Sequence, residues 1–237
     1  MSLDRRIHEA VSRIEQAVAK HVPATFASSF GAEDMVVLDL IARHALLIEV
    51  FTLDTGRLPE ETQALIARAR EVYGVQVRVL FPDAQAVETY VATHGNNAFY
   101  ESVELRKRCC EIRKLEPLRR ALAAKALWIT GLRREQSVTR ADVEVLAFDA
   151  ANGLMKLNPL ADWSDTDVWA YIERHDVPVN ALHSRGYPSI GCAPCTRAVQ
   201  PGEDPRAGRW WWEQPTSREC GLHVDSQGRL VRTKATV

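Results

Sequence analysis

No run of apolar residues in this chain approaches the roughly 20 needed to span a membrane. Its first residues, MSLDRRIHEAVSRIEQAVAKH, are polar throughout where an export signal would need an apolar stretch. A cytoplasmic protein with no membrane partner is expected. Neither sign of charge dominates, since 30 Lys and Arg stand against 31 Asp and Glu. The overall charge therefore gives no basis for binding nucleic acid, and any anion recognition must come from local clusters. Gly (12) and Pro (11) are too few for a disordered or collagen-like chain, and there is no internal repeat or low-complexity segment. Cysteine is sparse, at five. In a reducing compartment these five are not expected to form a disulfide framework, so metal ligation or thiol chemistry is the expected use. What is present is 237 residues with a hydrophobic fraction of 46%, enough for a full core in one domain with a functional C-terminal extension.

Residues 4 to 20 place Ile7, Ala10, Val11, Ile14, Ala17 and Val18 on one helical stripe, which reads as a packing helix. From Pro23 short apolar runs alternate with helical segments: ATFASS, EDMVVLDLIARH, ALLIEVFTLD, PEETQALIARAREVYG and VQVRVLFP. That alternation predicts βαβ units and a parallel sheet, with Pro59 at a helix start. A helix from Glu104 to Lys125 carries Cys109 and Cys110, and Pro117 is expected to kink or interrupt it. ALWITGL resumes a strand, VEVLAFDA and LMKLNPL read as a strand pair around Asn152-Gly153, and SDTDVWAYIERH is a helix capped by Ser164. Beyond about residue 176 the patterning fades into a Pro-rich, Trp-rich stretch that holds three of the five cysteines, as long irregular functional segments do.

Three places carry chemistry. SSFGAED, residues 28 to 34, lies between a predicted strand and a predicted helix, where Ser28, Ser29 and Gly31 could cradle a phosphate at a helix N-terminus. It is neither a Walker loop nor GxGxxG, and an ordinary N-cap turn with Glu33 and Asp34 on the helix dipole explains it equally well. Second, Cys109 and Cys110 with Cys192 and Cys195 of GCAPCT make four thiols. Four is the number for an all-cysteine zinc site or an iron-sulfur cluster. Adjacent helical residues project about 100° apart, which suits two irons of a cubane better than one tetrahedral zinc, so a 4Fe-4S cluster is favoured. A chance buried pair or a redox dithiol is the alternative, but a redox CxxC is expected directly after a strand and opening a helix. Third, Cys220 in RECGLH has Arg206, Arg209, Arg218 and His223 nearby in sequence to stabilise a thiolate. Spacing alone leaves open whether it is a nucleophile or a spare surface thiol.

Taken together, SSFGAED, FTLDTGRLPEET, KRCCEIRKLEPL, TGLRREQS, LNPLADWSDTDVW, GCAPCTR, AGRWWWE and ECGLH resemble, in order and over nearly the whole chain, the assimilatory sulfonucleotide reductases. The resemblance is to the cluster-bearing branch that acts on adenosine 5′-phosphosulfate (APS). Relatives without a cluster, which use the 3′-phosphorylated nucleotide PAPS, lack the CC and CxxC pairs but keep ECGLH.

The resemblance implies a doubly wound, mostly parallel α/β sheet, adenine nucleotide alpha hydrolase-like, with an irregular C-terminal active-site tail. It implies one domain over 1–237, with an N-terminal packing helix in 1–22 and a mobile tail in 200–237. It implies Cys220 as the nucleophile, Cys109, Cys110, Cys192 and Cys195 as ligands of a 4Fe-4S cluster, and Lys114, Arg206, Arg209 and His223 at the sulfate end of the substrate. Ser28, Gly31, Asp34, Leu53, Thr55, Gly131 and Arg140 would surround the nucleotide. Thioredoxin is the implied partner and APS the substrate, and relatives suggest a homo-oligomer. Many relatives carry a small residue before the glycine of the first loop, where this chain has Phe30. A PAPS-using or dual-specificity reductase is the alternative within the enzyme class. A nucleotide-binding protein with a structural four-cysteine zinc site is the alternative outside it.

Overall fold

Successive residues of a strand point to opposite faces of its sheet, and here both faces are apolar. Phe26, Val50, Leu127, Ile129 and Leu157 enter one buried cluster, while Phe51, Leu80, Trp128 and Leu154 enter a second. Such a sheet needs cover on both sides, as doubly wound folds supply. The computed structural model describes residues 2–137 and 140–214. Its strands are β1 (Ala24–Ala27), β2 (Glu49–Leu53), β3 (Val77–Leu80), β4 (Leu127–Ile129), β5 (Leu146–Asp149) and β6 (Leu154–Leu157). They form one sheet in the order β3-β2-β1-β4-β6-β5. All pairings are parallel except β5 with β6, a hairpin that turns at Asn152-Gly153 with Gly153 at φ 71°.

The helices are α1 (Leu3–Lys20), α2 (Ala32–Arg43), α3 (Glu60–Tyr73), α4 (Ala84–His94), α5 (Val103–Cys110), α6 (Glu116–Leu122) and α7 (Asp165–His175). α1 buries Ala10, Val11, Ile14 and Ala17, the stripe expected from its periodicity, and it joins α2, α3 and α7 in the first cluster. α6 covers the second face through Leu118, Ala121 and Leu122. α7 begins with a reciprocal cap, in which Ser164 Oγ accepts from Asp167 N at 3.1 Å and Asp167 Oδ2 accepts from Ser164 N at 2.9 Å. Among the described residues no helix is long and apolar enough to cross a membrane.

The expected interruption at Pro117 takes a different form. The chain stays helical from Val103 to Leu122, but Glu111–Leu115 forms a π-helical segment between α5 and α6. A proline in an α-helix removes one hydrogen bond and presses its ring on the carbonyl four residues back. Widening the turn that precedes Pro117 relieves both, and the helix runs on. Beyond α7 the fold keeps only short 3-10 turns, at His183–Arg185 and Ala193–Cys195, and one isolated bridge between Thr196 and Arg209.

Because β1 leads to β2 on one side and pairs with β4 on the other, the loops after β1 and β4 part at the carboxyl edge of the sheet. That parting is the crevice where ligands bind in open α/β sheets.

Candidate active site

The two loops that flank the crevice are tied together by one carboxylate. Asp34, in the first turn of α2, accepts from Ser29 N and Ser29 Oγ, both at 2.6 Å, and from Gly131 N after β4 at 3.0 Å. Burial pushes its pKa up to about 6 even though these bonds and their donors favour the ionised form. A Cβ on Gly131 would lie 2.3 Å from Asp34 Oδ1 and 3.0 Å from Asp34 N, so this close approach requires glycine. Ser28 ends the loop's strand side, where its Oγ accepts from Phe30 N at 3.1 Å. Phe30 itself sits at φ 59°, a left-handed conformation in which smaller residues are less strained, and its ring is buried in the main core. Burying a phenylalanine is worth about 1.5–3 kcal/mol, enough to offset such strain. A second cross-tie, from Arg133, was not anticipated. Its buried guanidinium reaches Glu33 at 2.8 and 3.0 Å, the Trp163 carbonyl at 3.2 Å and Asp165 at 3.2 Å.

Next to this crevice lies the thiol site. Cys109, Cys110, Cys192 and Cys195 are free thiols, and all four line one cavity with Arg57, Phe99, Arg113, Lys114 and Trp210. α5 delivers the first pair and the 3-10 turn of GCAPCT the second. The field is uneven. Burial opposes ionisation of Cys192, but Lys114, the Thr55 hydroxyl at 3.3 Å, Arg209 and Arg113 together hold its thiol below the ordinary range. Burial dominates at Cys195 and pushes it up to about 12, and it also raises Cys109. Four thiols, three of them buried and Cys109 half-buried, lined up with fixed cations form a donor set for a group that binds thiolates. Trp210 adds a second sign: its Nε1–H is buried and finds no acceptor among the described residues. Among those residues no three His, Cys, Asp or Glu side chains close on one point as ligands of a single ion, a convergence that a cubane with one iron per thiol does not need.

Thr55, expected beside the nucleotide, has its hydroxyl on Cys192 and its carbonyl accepting from Arg113 Nη1 at 2.7 Å. Leu53 ends β2 just before it. Lys114 stands at the thiols. Arg209 is buried against the Trp210 ring at 4.7 Å and donates to Ser189 Oγ and the Ile190 carbonyl. Arg206 lies in the turn before it, its carbonyl accepting from Arg209 N at 2.9 Å. Gly31 caps α2, and Arg140 contacts Gln136 in the loop after β4. Cys220 and His223 lie outside the described residues. Arg57, Arg106, Arg113 and Glu213 escaped the sequence reading. Arg113 was within reach of it, being four residues after Cys109 as Lys114 is after Cys110.

The sequence model of the phosphoadenosine phosphosulfate reductase domain matches residues 23–198. A Burkholderia cepacia protein named adenosine 5′-phosphosulfate reductase is 55% identical over 222 residues, covering 94% of this chain and 89% of its own length. A protein of the same name from Allochromatium vinosum is 54% identical, covering 94% and 87%. In fold, the chain is similar to the crystal structure of phosphoadenylyl-sulfate reductase from Candida auris. The TM-score is 0.69 at 24% identity, over 83% of this chain and 96% of that one.

Proposed function

This chain belongs to the phosphoadenosine phosphosulfate reductase family, and on that premise we propose that it reduces APS to sulfite and AMP with a dithiol protein, thioredoxin, as reductant. The observation that carries the reading is the gathering of four free thiols in one cavity with Lys114, Arg57 and Arg113, beside a crevice at the sheet's carboxyl edge. Free thiols and a thioredoxin reductant belong to a reducing compartment, the cytoplasm.

In the first step the Cys220 thiolate attacks the sulfur of APS. A sulfur–sulfur bond forms, the bond from sulfur to the bridging phosphate oxygen breaks, and AMP departs with that electron pair. Nucleophile and sulfate group are both anions, so the barrier contains like-charge repulsion that fixed cations offset. Lys114, Arg206, Arg209 and His223 are assigned that task. In the second step one thiolate of thioredoxin attacks Cys220 Sγ and sulfite leaves with the pair. The second thioredoxin thiol resolves the mixed disulfide, so the two electrons come from the dithiol.

Cys109, Cys110, Cys192 and Cys195 are assigned to a 4Fe-4S cluster, and the unpartnered Trp210 N–H supports the fit, because the sulfides of such a cluster accept hydrogen bonds. When bound, the cluster supplies fixed charge and not the electrons. The chain's own residues hold the nucleotide: the Asp34 clamp presents Ser28, Gly31 and the α2 N-terminus to it, with Leu53, Thr55, Gly131 and Arg140 around it.

The test is iron and sulfide analysis of protein purified without oxygen, with sulfite release measured on APS and on PAPS. About four irons per chain and release from APS are expected. Cys220→Ser should abolish turnover and still bind APS; sulfite release by that variant would sink the mechanism, and zinc in place of iron would sink the cluster.

A further inference from the structure

The segment that leads to Cys220 is fastened to both cysteine pairs before it leaves the described part of the fold. On one side Trp210 N donates to the Cys195 carbonyl at 3.1 Å, and Arg209 forms the isolated bridge with Thr196. On the other, Glu213 reaches α5. Arg106 Nε donates to Glu213 Oε1 at 2.8 Å and Arg106 Nη2 to Glu213 Oε2 at 2.7 Å, a two-pronged pair with side chains only 0% and 3% exposed. The Arg106 guanidinium also lies 5.0 Å over the Trp210 ring, which Arg209 approaches to 4.7 Å. Arg106 precedes Cys109 and Cys110 by three and four residues, one turn of the same helix.

We propose that Arg106 and Glu213 are a positioning pair for sulfur transfer, fixing the root of the nucleophile-bearing segment to the cysteine helix. The proposal rests on the assignment of Cys220 as nucleophile. Glu213 stands seven residues before Cys220, and seven residues reach at most about 25 Å. The thiolate must arrive within about 3–3.5 Å of its target, and a 1 Å misplacement costs about a hundredfold in rate. A two-pronged buried ion pair sets distance and direction together, which one apolar contact does not. This distinguishes the pair from the surface ion pairs elsewhere on the chain, such as Arg68–Glu71, whose side chains are more than half exposed.

The experiment mixes oxygen-free holoenzyme with APS in the absence of any dithiol and follows the single burst of AMP. In Glu213→Gln the burst rate should fall about 10- to 100-fold, while the AMP dissociation constant, iron content and absorption near ~400 nm stay at wild-type values. The double variant Arg106→Met with Glu213→Leu fills the same space without charge. It should show the same split, and it serves if the single variant does not fold. A burst at the wild-type rate in a folded variant overturns the proposal. So does a loss that tracks lost iron or lost AMP affinity, which would make the pair part of the housing. Cys220→Ser separates the two readings: if it releases AMP as wild type does, the nucleophile assignment fails, and the positioning pair with it.

Discussion

Replacing Asp34 with Asn tests the loop clamp in isolation. The carboxylate accepts three bonds, two from Ser29 and one from Gly131. An amide keeps one accepting oxygen and turns an NH2 group toward the remaining donors. Ser29 Oγ can rotate to accept, but a backbone N–H cannot, so one buried donor loses its partner at about 1–3 kcal/mol. Opposing this, burial holds the Asp34 pKa at about 6 against an ordinary 3.8. At about 1.4 kcal/mol per unit, the neutral amide is relieved of about 3 kcal/mol at pH 7. The two terms nearly cancel, so stability at neutral pH should change by no more than about 2 kcal/mol. Affinity for AMP should nevertheless fall roughly tenfold, because a charged hydrogen bond that sets the loop is gone.

The pH dependence carries the sharper signature. A carboxyl whose folded pKa is raised contributes stability that is full below its unfolded pKa and lost as pH rises through the folded one. With values of about 6 and 3.8, the wild type gains about 1.4 kcal/mol between pH 7 and pH 5 that the Asp34→Asn variant does not. Urea unfolding of both proteins at the two pH values reads this difference directly, since contributions from other groups are common to both. A difference that stays flat from pH 7 to pH 5 would refute the buried, titrating carboxylate. Unchanged AMP affinity would refute its role in shaping the crevice.

Two other substitutions probe neighbouring parts of the same edge. Gly131→Ala puts a Cβ against Asp34 and the start of α2; overpacking of about 1–3 kcal/mol should lower the urea midpoint and weaken AMP binding together, and an unchanged midpoint would mean that the helix end can move aside. Lys156, on β6, is buried over the Trp128 ring at 4.3 Å, and burial lowers its pKa to about 8 despite Asp149 nearby. A lowered lysine contributes stability that is full above its unfolded pKa and lost as pH falls through the folded one. Lys156→Met should therefore raise stability at pH 7, and this advantage should shrink by about 1.3 kcal/mol between pH 7 and pH 9; an advantage that is constant with pH would refute the buried charge.

What the sequence discloses about this fold follows the range of the interactions involved. The α1 stripe, the Ser164 cap and the Asn152-Gly153 hairpin are legible because periodicity, capping and turn chemistry act over a few residues. The parallel sheet, though not its strand order, follows from alternation of strands and helices. The four thiols are legible as a set because cysteine is rare in this chain. Pro117 marks the interruption of the α-helix but not its form, a π-helical segment at Glu111–Leu115. The Arg106–Glu213 pair, with partners 107 residues apart, has no local signal, and neither has the Arg133–Glu33 tie across 100 residues. An arginine in a charged helix reads as solvent-exposed, and only tertiary packing makes it buried.

The four residues Asp54 to Arg57 explain how the two halves of the site are joined. Asp54 Oδ1 accepts from Gly56 N at 2.8 Å, a local turn that aspartate favours. Gly56 sits at φ 70°, and a Cβ there would lie 3.3 Å from Arg113 Nη1, so glycine serves both the conformation and the approach of the arginine. That approach lets Arg113 bond the Thr55 carbonyl while the Thr55 hydroxyl meets Cys192 and accepts from Arg57 N at 3.2 Å. The turn begins immediately after β2, at the carboxyl edge of the sheet where the crevice opens. One short turn thus binds strand end, cysteine helix and CxxC loop into a unit, and a shift of either cysteine segment must be felt at the crevice through Thr55. A site in which a thiolate has to meet an anionic sulfate group gains from such rigidity, because cations offset repulsion only where they are held in place before the encounter.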